Sequence, residues 1–210
     1  MNKLILLRHG QSQWNLENRF TGWTDVSLTE KGAQEAIEAG KLMKKNNISI
    51  DLIFCSVLQR ATETARLAVL EMNLKQLWNE KNELMMMRDQ ALNERDYGDL
   101  VGLNKKETAD KFGKKQVHIW RRSFDIQPPG GESLKNVVER VRPYFEANIK
   151  PELKKQKNIL IAAHGNSLRA MMICVGFYKP EEISKIEFPT GSPFVLYYEK
   201  EKLIKSEYLV

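Results

Sequence analysis

The stretch NILIAAHGNSLRAMMICVGF, residues 158–177, carries the reading of the fold. It opens, after Asn158, on ILIAA (159–163), an unbroken apolar run of strand length, and a run of that kind belongs to a strand covered on both faces, as in a parallel sheet. Its second half, LRAMMICVGF, has the length and composition of a buried helix. Between the two stand His164, Gly165, Asn166 and Ser167, polar or small residues placed where the strand ends and the helix begins. The start of the chain repeats the arrangement: KLILL, residues 3–7, runs into RHGQS, which AHGNS echoes.

Working outward, a loop from Asn15 to Asp25 precedes a helix capped by Ser27 or Thr29, in which Ala33, Ala36, Ile37, Gly40 and Met43 recur at helical spacing. DLIFCS (51–56) predicts a second strand, and the residues from Val57 a second helix. ELMMMRD (83–89) reads as a third strand whose methionines belong to the core. Two helices are expected within 104–123. PPGGES then breaks the chain before a long helix from Ser133 to about Lys154, with a kink at Pro143. FVLYYE and KLIKSEYLV suit a terminal hairpin. Strands alternating with helices predict an α/β fold: a three-layer α/β/α sandwich on a mostly parallel sheet, one domain over residues 1–210.

The totals fit that expectation. Of the 210 residues, 42% are hydrophobic and 29% charged, the balance of a globular chain with a full core. The apolar run at the N-terminus is too short for a bilayer span or a signal peptide, so a cytoplasmic protein with no membrane partner is expected. Cys55 and Cys174 both sit in apolar surroundings and are expected to be buried reduced thiols. The formal net charge of +6 favours anionic partners. No RNA- or DNA-binding pattern accompanies that charge, and most lysine clusters fall where helices end, so nucleic acid is not expected as a partner.

In open sheets of this kind ligands gather beyond the carboxyl ends of the strands. There Arg8 and His9 leave the first strand, Arg60 lies one turn into the helix after the second, and His164 leaves a later one. Two imidazoles at one sheet edge can converge, one as nucleophile and the other as donor to a transferring group. Arginines beside them favour a phosphoryl group, because the guanidinium fork matches its oxygens and stays charged. His118 has no such company and is expected to be an exposed helix residue. No third ligand accompanies His9 and His164 at a spacing suited to a metal, and adjacent arginines repel a cation, so no metal is expected. A nucleotide-triphosphate loop of the G-x-x-x-x-G-K-[ST] type is absent.

RHGQSQWN with RFTGWTD, SVLQRATET, ALNERDYGDLVGLNK, WRRSFD, PPGGES and AAHGNSLRA, in that order from about Leu4 to Pro193, resembles the histidine phosphatase superfamily, and within it the cofactor-dependent phosphoglycerate mutase family. The resemblance implies interconversion of 3-phosphoglycerate and 2-phosphoglycerate through a phosphohistidine on His9, primed by 2,3-bisphosphoglycerate without a metal. It implies Glu94 as general acid and base, which asks for a raised pKa. It implies His164, Arg8 and Arg60 as the stabilising set around the phosphoryl group. Lys105, Arg121 and Arg122 match the family's residues for a second anion site. Gly10, Gln11, Ser12, Gln13, Trp14, Asn15, Thr21, Gly22, Arg95, Asp96, Tyr97, Gly165 and Asn166 match further substrate contacts. Adjacent arginines on a helix point about 100° apart, so Arg121 and Arg122 require that helix end to face the pocket. Members often form dimers or tetramers, so a homo-oligomer is expected.

Three features depart from the family pattern. Gln11 stands where many members carry glutamate, a change that keeps hydrogen bonding and removes a negative charge. The PPGGES junction is short, as in compact bacterial members. The sequence stops at SEYLV without the tail that long-chain members fold over the site, so more hydrolysis of the phosphohistidine is expected unless the loops around Asn15–Trp23 and Glu94–Leu103 cover the pocket. A phosphomonoester phosphatase of the same superfamily, or a bisphosphoglycerate mutase, is the alternative reading. Lys105, Arg121 and Arg122 distinguish the first, since a hydrolase has no need of a second anion site.

Overall fold

A computed structural model describes residues 1–183 and 186–210. The two echoing runs become neighbouring strands. Strand β1 (Asn2–Arg8) pairs in parallel with β4 (Ile159–Ala163), in a register that sets Leu4 beside Ile159 and Arg8 beside Ala163. On the other side of β4 lies β2 (Leu52–Cys55), also parallel, followed by β3 (Met87–Arg88). On the other side of β1 lie β5 (Phe194–Glu199) and β6 (Lys202–Tyr208), paired antiparallel as a hairpin. The sheet order is β3-β2-β4-β1-β5-β6, and β5 alone of these strands runs against the rest.

Why the runs are apolar without alternation follows from what covers them. Leu4, Leu6, Phe54, Ile159, Ile161 and Leu196 enter one core cluster, while Ile5, Leu7, Ile53, Cys55, Leu160 and Val195 enter another. Successive side chains point to opposite faces, so a sheet layered on both sides needs apolar residues at every position. One layer holds α2 (Glu30–Lys45) and α3 (Gln59–Met72); the other holds α6 (Leu134–Tyr144) and α8 (Gly165–Cys174). Of the smaller helices, α1 (Gln13–Leu16), α4 (Lys105–Phe112) and α5 (Lys114–Arg122) lie in the connections, α7 (Lys150–Lys154) precedes β4, and α9 (Pro180–Ile183) follows α8. Phe20, Leu100 and Val117 form a third, small cluster with Tyr97 and Trp120, which seats α5 above the strand ends.

Several boundaries are set by identifiable chemistry. Thr29 caps α2, its hydroxyl accepting from the Gly32 N–H at 3.1 Å, and the buried face is Gly32, Ala36, Ala39, Gly40 and Met43. Ser133 and Asn136 form a reciprocal cap on α6. The helix expected to kink at Pro143 passes through it and widens into a π turn at Phe145–Ile149, where the Lys150 N–H reaches back to the Phe145 carbonyl. Pro143 and Pro151, neither of which has an N–H, flank that turn. The hairpin turns through Lys200 and Glu201, both at positive φ.

The methionine run corrects the expectation of a third core strand. Only Met87–Arg88 pairs with β2, at the sheet edge, and Met85 and Met87 are 49% and 40% exposed. No element covers their outer face among the described residues, whereas Leu84 and Met86 turn inward against the core. Cys55 and Cys174 are free and buried, and His118 is exposed. Among the described residues no helix is long and apolar enough to cross a membrane.

The loop after β1 is locked to α2 through two glycines. A Cβ on Gly10 would stand 2.0 Å from the Gly32 carbonyl oxygen, and one on Gly32 at 2.0 Å from the Gln11 oxygen. Both are backbone atoms and cannot swing aside. Gly10→Ala is therefore expected to lower stability by about 1–3 kcal/mol, read as a fall in the urea midpoint with an unchanged slope.

Candidate active site

The β1–β4 register brings the two histidines together. The His9 N–H donates to the Ala163 carbonyl at 3.0 Å, so the chain leaves both strands at the same level, and the His9 and His164 rings lie with centroids 5.0 Å apart. Both residues are buried, at 2% and 0% exposure. The His9 Nδ1 lies 2.7 Å from the Gly10 carbonyl oxygen. A carbonyl can only accept, so the proton of the neutral ring sits on Nδ1 and the lone pair on Nε2. Burial, and then the charges of Arg60 and Arg8, hold His9 well below the ordinary imidazole value, against a smaller opposing effect of the Gly10 carbonyl. The same burial, with Arg60, His9, Arg8 and Arg140, holds His164 low. Both rings are neutral near pH 7.

Arg60 comes from the first turn of α3 and is 1% exposed. Its Nη1 donates to the Thr24 carbonyl and its Nη2 to the Gly22 carbonyl, each at 2.9 Å, so it holds the Thr21–Thr24 loop against the site. Burial lowers its pKa to about 10, which leaves it charged. Arg8 donates through Nη1 to the Phe188 carbonyl at 2.8 Å.

Glu94 faces this group from the loop after β3. Its Oε1 accepts from the Arg95 N–H at 2.8 Å, the Asn166 N–H at 3.2 Å and the Asn166 Nδ2 at 3.0 Å. All three of these bonds fall on one oxygen, Oε1. Burial alone would raise its pKa, but the Arg95 N–H, the Arg8 charge, the Asn166 amide and the Arg60 charge outweigh it, and the pKa is lowered. The raised value expected from the sequence is thus corrected: among these donors and cations Glu94 is a stabilised carboxylate.

That loop is clamped from behind by PPGGES. The Asp99 N–H donates to the Pro129 carbonyl, the Glu132 N–H to the Asp96 carbonyl, and the Glu132 carboxylate accepts from the Asp96 N–H at 2.9 Å. Arg140 on α6 pairs with Glu132 at 2.8 Å and donates to the Ala91, Asn93 and Glu94 carbonyls. A Cβ on Gly98 would meet the Gly130 carbonyl carbon at 2.3 Å, so the two segments touch through their backbones. The Trp23 indole donates to the Glu94 carbonyl at 2.6 Å, joining the loops around Asn15–Trp23 and Glu94–Leu103.

Beyond these residues opens a cleft lined by Arg8, Asn15, Thr21, Gly22, Glu94, Tyr97, Lys105, Arg121, Arg122, Gly165 and Asn166, all singled out from the sequence. Arg121 and Arg122 close α5 with both side chains on this cleft, because the small cluster under α5 points its end that way. Burial lowers the pKa of Lys105 and of Arg121.

His9, Arg60 and His164 lie buried outside the cleft lining, as do the remaining expected contacts. Gly10 packs on Gly32, and the Gln11 N–H donates to Glu35 while its side-chain oxygen accepts from Thr29. Ser12 caps α1, Gln13 bonds Glu17 at the surface, and the Trp14 carbonyl accepts from the Arg19 N–H. Arg95 is buried beneath Arg121, donating to its carbonyl and to the Tyr97 hydroxyl, each at 3.1 Å, while Asp96 accepts from Gly98 within its own turn.

Arg19, Arg169 and Glu187 line the cleft without having been singled out. Arg169 was legible, four residues after Gly165 and three after Asn166, hence on the same helix face. Glu187 lies in a loop that carries no periodic signal. Among the described residues no three His, Cys, Asp or Glu side chains are grouped to hold a metal.

The sequence matches the description Histidine phosphatase superfamily (branch 1) over residues 4–208. The chain belongs to the histidine phosphatase superfamily. Within this superfamily it is 51% identical to a 2,3-bisphosphoglycerate-dependent phosphoglycerate mutase of Azorhizobium caulinodans, over 91% of this chain and 90% of that one. It is 48% identical to the enzyme of the same name from Parvibaculum lavamentivorans, over 92% and 89% of the two chains. The fold is shared with a mycobacterial glucosyl-3-phosphoglycerate phosphatase solved with VO3, at a TM-score of 0.79 and 24% identity, covering 100% of this chain and 98% of that one.

Two neutral, buried histidines give this superfamily member a defined acid response. Each binds a proton less readily folded than unfolded, so acid favours the unfolded chain once the pH falls below the unfolded value of about 6.5. Stability in phosphate-free buffer is expected to be level above pH 7. It should decline between about pH 6.5 and 5, by up to about 1.4 kcal/mol per pH unit for each ring. Denaturant midpoints across that range check this, and His164→Asn should reduce the slope.

Proposed function

We propose that this chain interconverts 3-phosphoglycerate and 2-phosphoglycerate as a metal-independent, 2,3-bisphosphoglycerate-dependent mutase. The observation that carries the reading is the division of the cleft. In this reading Arg8 and Glu94 on the cleft wall, with the buried His9, His164 and Arg60 near Arg8, form a phosphoryl station, and Lys105, Arg121 and Arg122, which line the same cleft, form a second set of cations. A small substrate bearing a phosphate and a carboxylate fills both stations, and the names of relatives near 50% identity agree with it.

In this reading the His9 Nε2 lone pair attacks phosphorus in line, and the phosphorus–oxygen bond opposite it breaks. Arg8, Arg60 and His164 hold the equatorial oxygens, where preorganised donors contribute most. The departing oxygen takes a proton from Glu94, and the hydroxyl that later attacks phosphohistidine returns one to it, so a single carboxyl group serves both directions. An arriving phosphate offsets the charges of Arg8 and Arg60 that keep Glu94 ionised, so its pKa rises when a proton is needed. The residues present fit 2,3-bisphosphoglycerate, with Arg8 and Arg60 toward one phosphate and Lys105, Arg121 and Arg122 toward the groups at the other end. When bound, it supplies the phosphoryl group that primes His9.

The test is conversion of 3-phosphoglycerate by the purified protein in excess EDTA, with and without catalytic 2,3-bisphosphoglycerate, while free phosphate is followed. Cofactor-dependent isomerisation with little phosphate release is expected; phosphate release without isomerisation would make the chain a hydrolase. His9→Ala is expected to abolish acid-labile phosphoenzyme. Glu94→Gln should lower the isomerisation rate by roughly 10²–10⁴-fold. Arg121→Ala should weaken phosphoglycerate binding more than it slows hydrolysis of a simple phosphomonoester.

A further inference from the structure

Glu187 is an acid among the cations of the cleft. One carboxylate oxygen pairs with Arg122 Nη2, and the other with Arg169 Nη2 at 3.0 Å. The side chain is 58% exposed, at the outer rim. Its position is fixed by the backbone around it: Arg169 Nε donates to the Ile186 carbonyl at 2.6 Å, the Tyr208 hydroxyl to the Glu187 carbonyl at 3.1 Å, and Arg8 Nη1 to the Phe188 carbonyl at 2.8 Å. Among the described residues only Glu94 and Glu187 bring carboxylates to the cleft lining, and the chemistry above already uses Glu94.

A site built to bind anions as tightly as possible gains nothing from a carboxylate beside its arginines. The pairing of Glu187 with Arg122 is instead the pairing that a ligand carboxylate would make. We propose that Glu187 is an intramolecular stand-in for the carboxylate of the substrate. In the free protein it occupies Arg122. When a ligand arrives it yields that guanidinium and remains close by as a like charge, anchored by its loop. Glu187 thus sets the affinity and charge selectivity of the outer station, and weighs most on ligands with the most negative charge at that end. This inference rests on the proposal that the cleft takes phosphoglycerates.

The opposite role is a brace, in which Glu187 orients Arg122 and Arg169 for the ligand. The two differ in sign. A competitor, once neutralised, lets the ligand bind more tightly; a brace, once removed, lets it bind more weakly. Because Glu187 is more than half exposed, water and salt screen its charge, and the effect is modest.

The experiment is calorimetric titration of the wild-type protein, Glu187→Gln and Glu187→Ala with 3-phosphoglycerate and with glycerol 3-phosphate, which has no carboxylate, at low and high salt. Both variants are expected to bind 3-phosphoglycerate about three- to tenfold more tightly than wild type, with the gain shrinking in salt. The gain on glycerol 3-phosphate should stay below about twofold. Weaker binding by both variants would overturn the proposal in favour of a brace, and opposite shifts in the two would also overturn it. Unchanged affinity, or an equal gain on both ligands, would overturn the specific competition. The titration does not depend on turnover, so wild type that hydrolyses rather than isomerises would remove the mutase reading and leave this result standing. Wild type that fails to bind 3-phosphoglycerate would remove both.

Discussion

The parallel pairing of β1 with β4 is the constraint on which the site depends. The hydrogen bond from His9 N–H to the Ala163 carbonyl continues the ladder one residue past the last strand pair, Arg8 with Ala163. A slip of one residue would turn Leu4 and Leu6 to the face now filled by Ile5 and Leu7, and would carry His9 away from His164. Because both faces of these strands are packed, the register is enforced over the length of the sheet. The alignment of the imidazole pair therefore rests on the hydrophobic core that packs both faces of these strands.

The carboxylate side of the cleft is held differently. Glu94 sits on irregular backbone, which needs partners for its own polar groups before it can present a side chain accurately. Arg140 supplies them from α6, bonding successive carbonyls of the loop while its charge is answered by Glu132. PPGGES adds backbone bonds from the other side. Together they fix a group that the sheet cannot reach, at the cost of immobilising a half-buried cation and two glycines in tight contact.

This division explains what the sequence made legible. The strand runs, with His9 and His164 at their ends, could be read because two-sided burial leaves an unmistakable composition. Ser27 or Thr29 was read as the cap of α2, which Thr29 provides, and Ser133 as the start of the helix it caps. PPGGES was read as a break, and its clamping of Asp96–Gly98 was invisible because glycine and proline signal a turn without naming what the turn touches. The methionines at 85–87 misled for a related reason: apolar composition says that a strand is compatible, while edge position decides whether anything covers it. Glu187 carried no signal at all, since its place in the cleft follows from a tertiary path between α9 and β5.

The segment at 186–188 has a consequence for how this cleft varies over evolutionary time. Arg169, Tyr208 and Arg8 grip it through carbonyl oxygens, which every amino acid possesses. Side-chain identity at the central position is thereby separate from these three backbone anchors, and a substitution there alters the charge at the rim and gives up only the carboxylate's own pairs with Arg122 and Arg169. A lineage can tune what the pocket admits by changing a single codon, leaving the inherited chemistry in place.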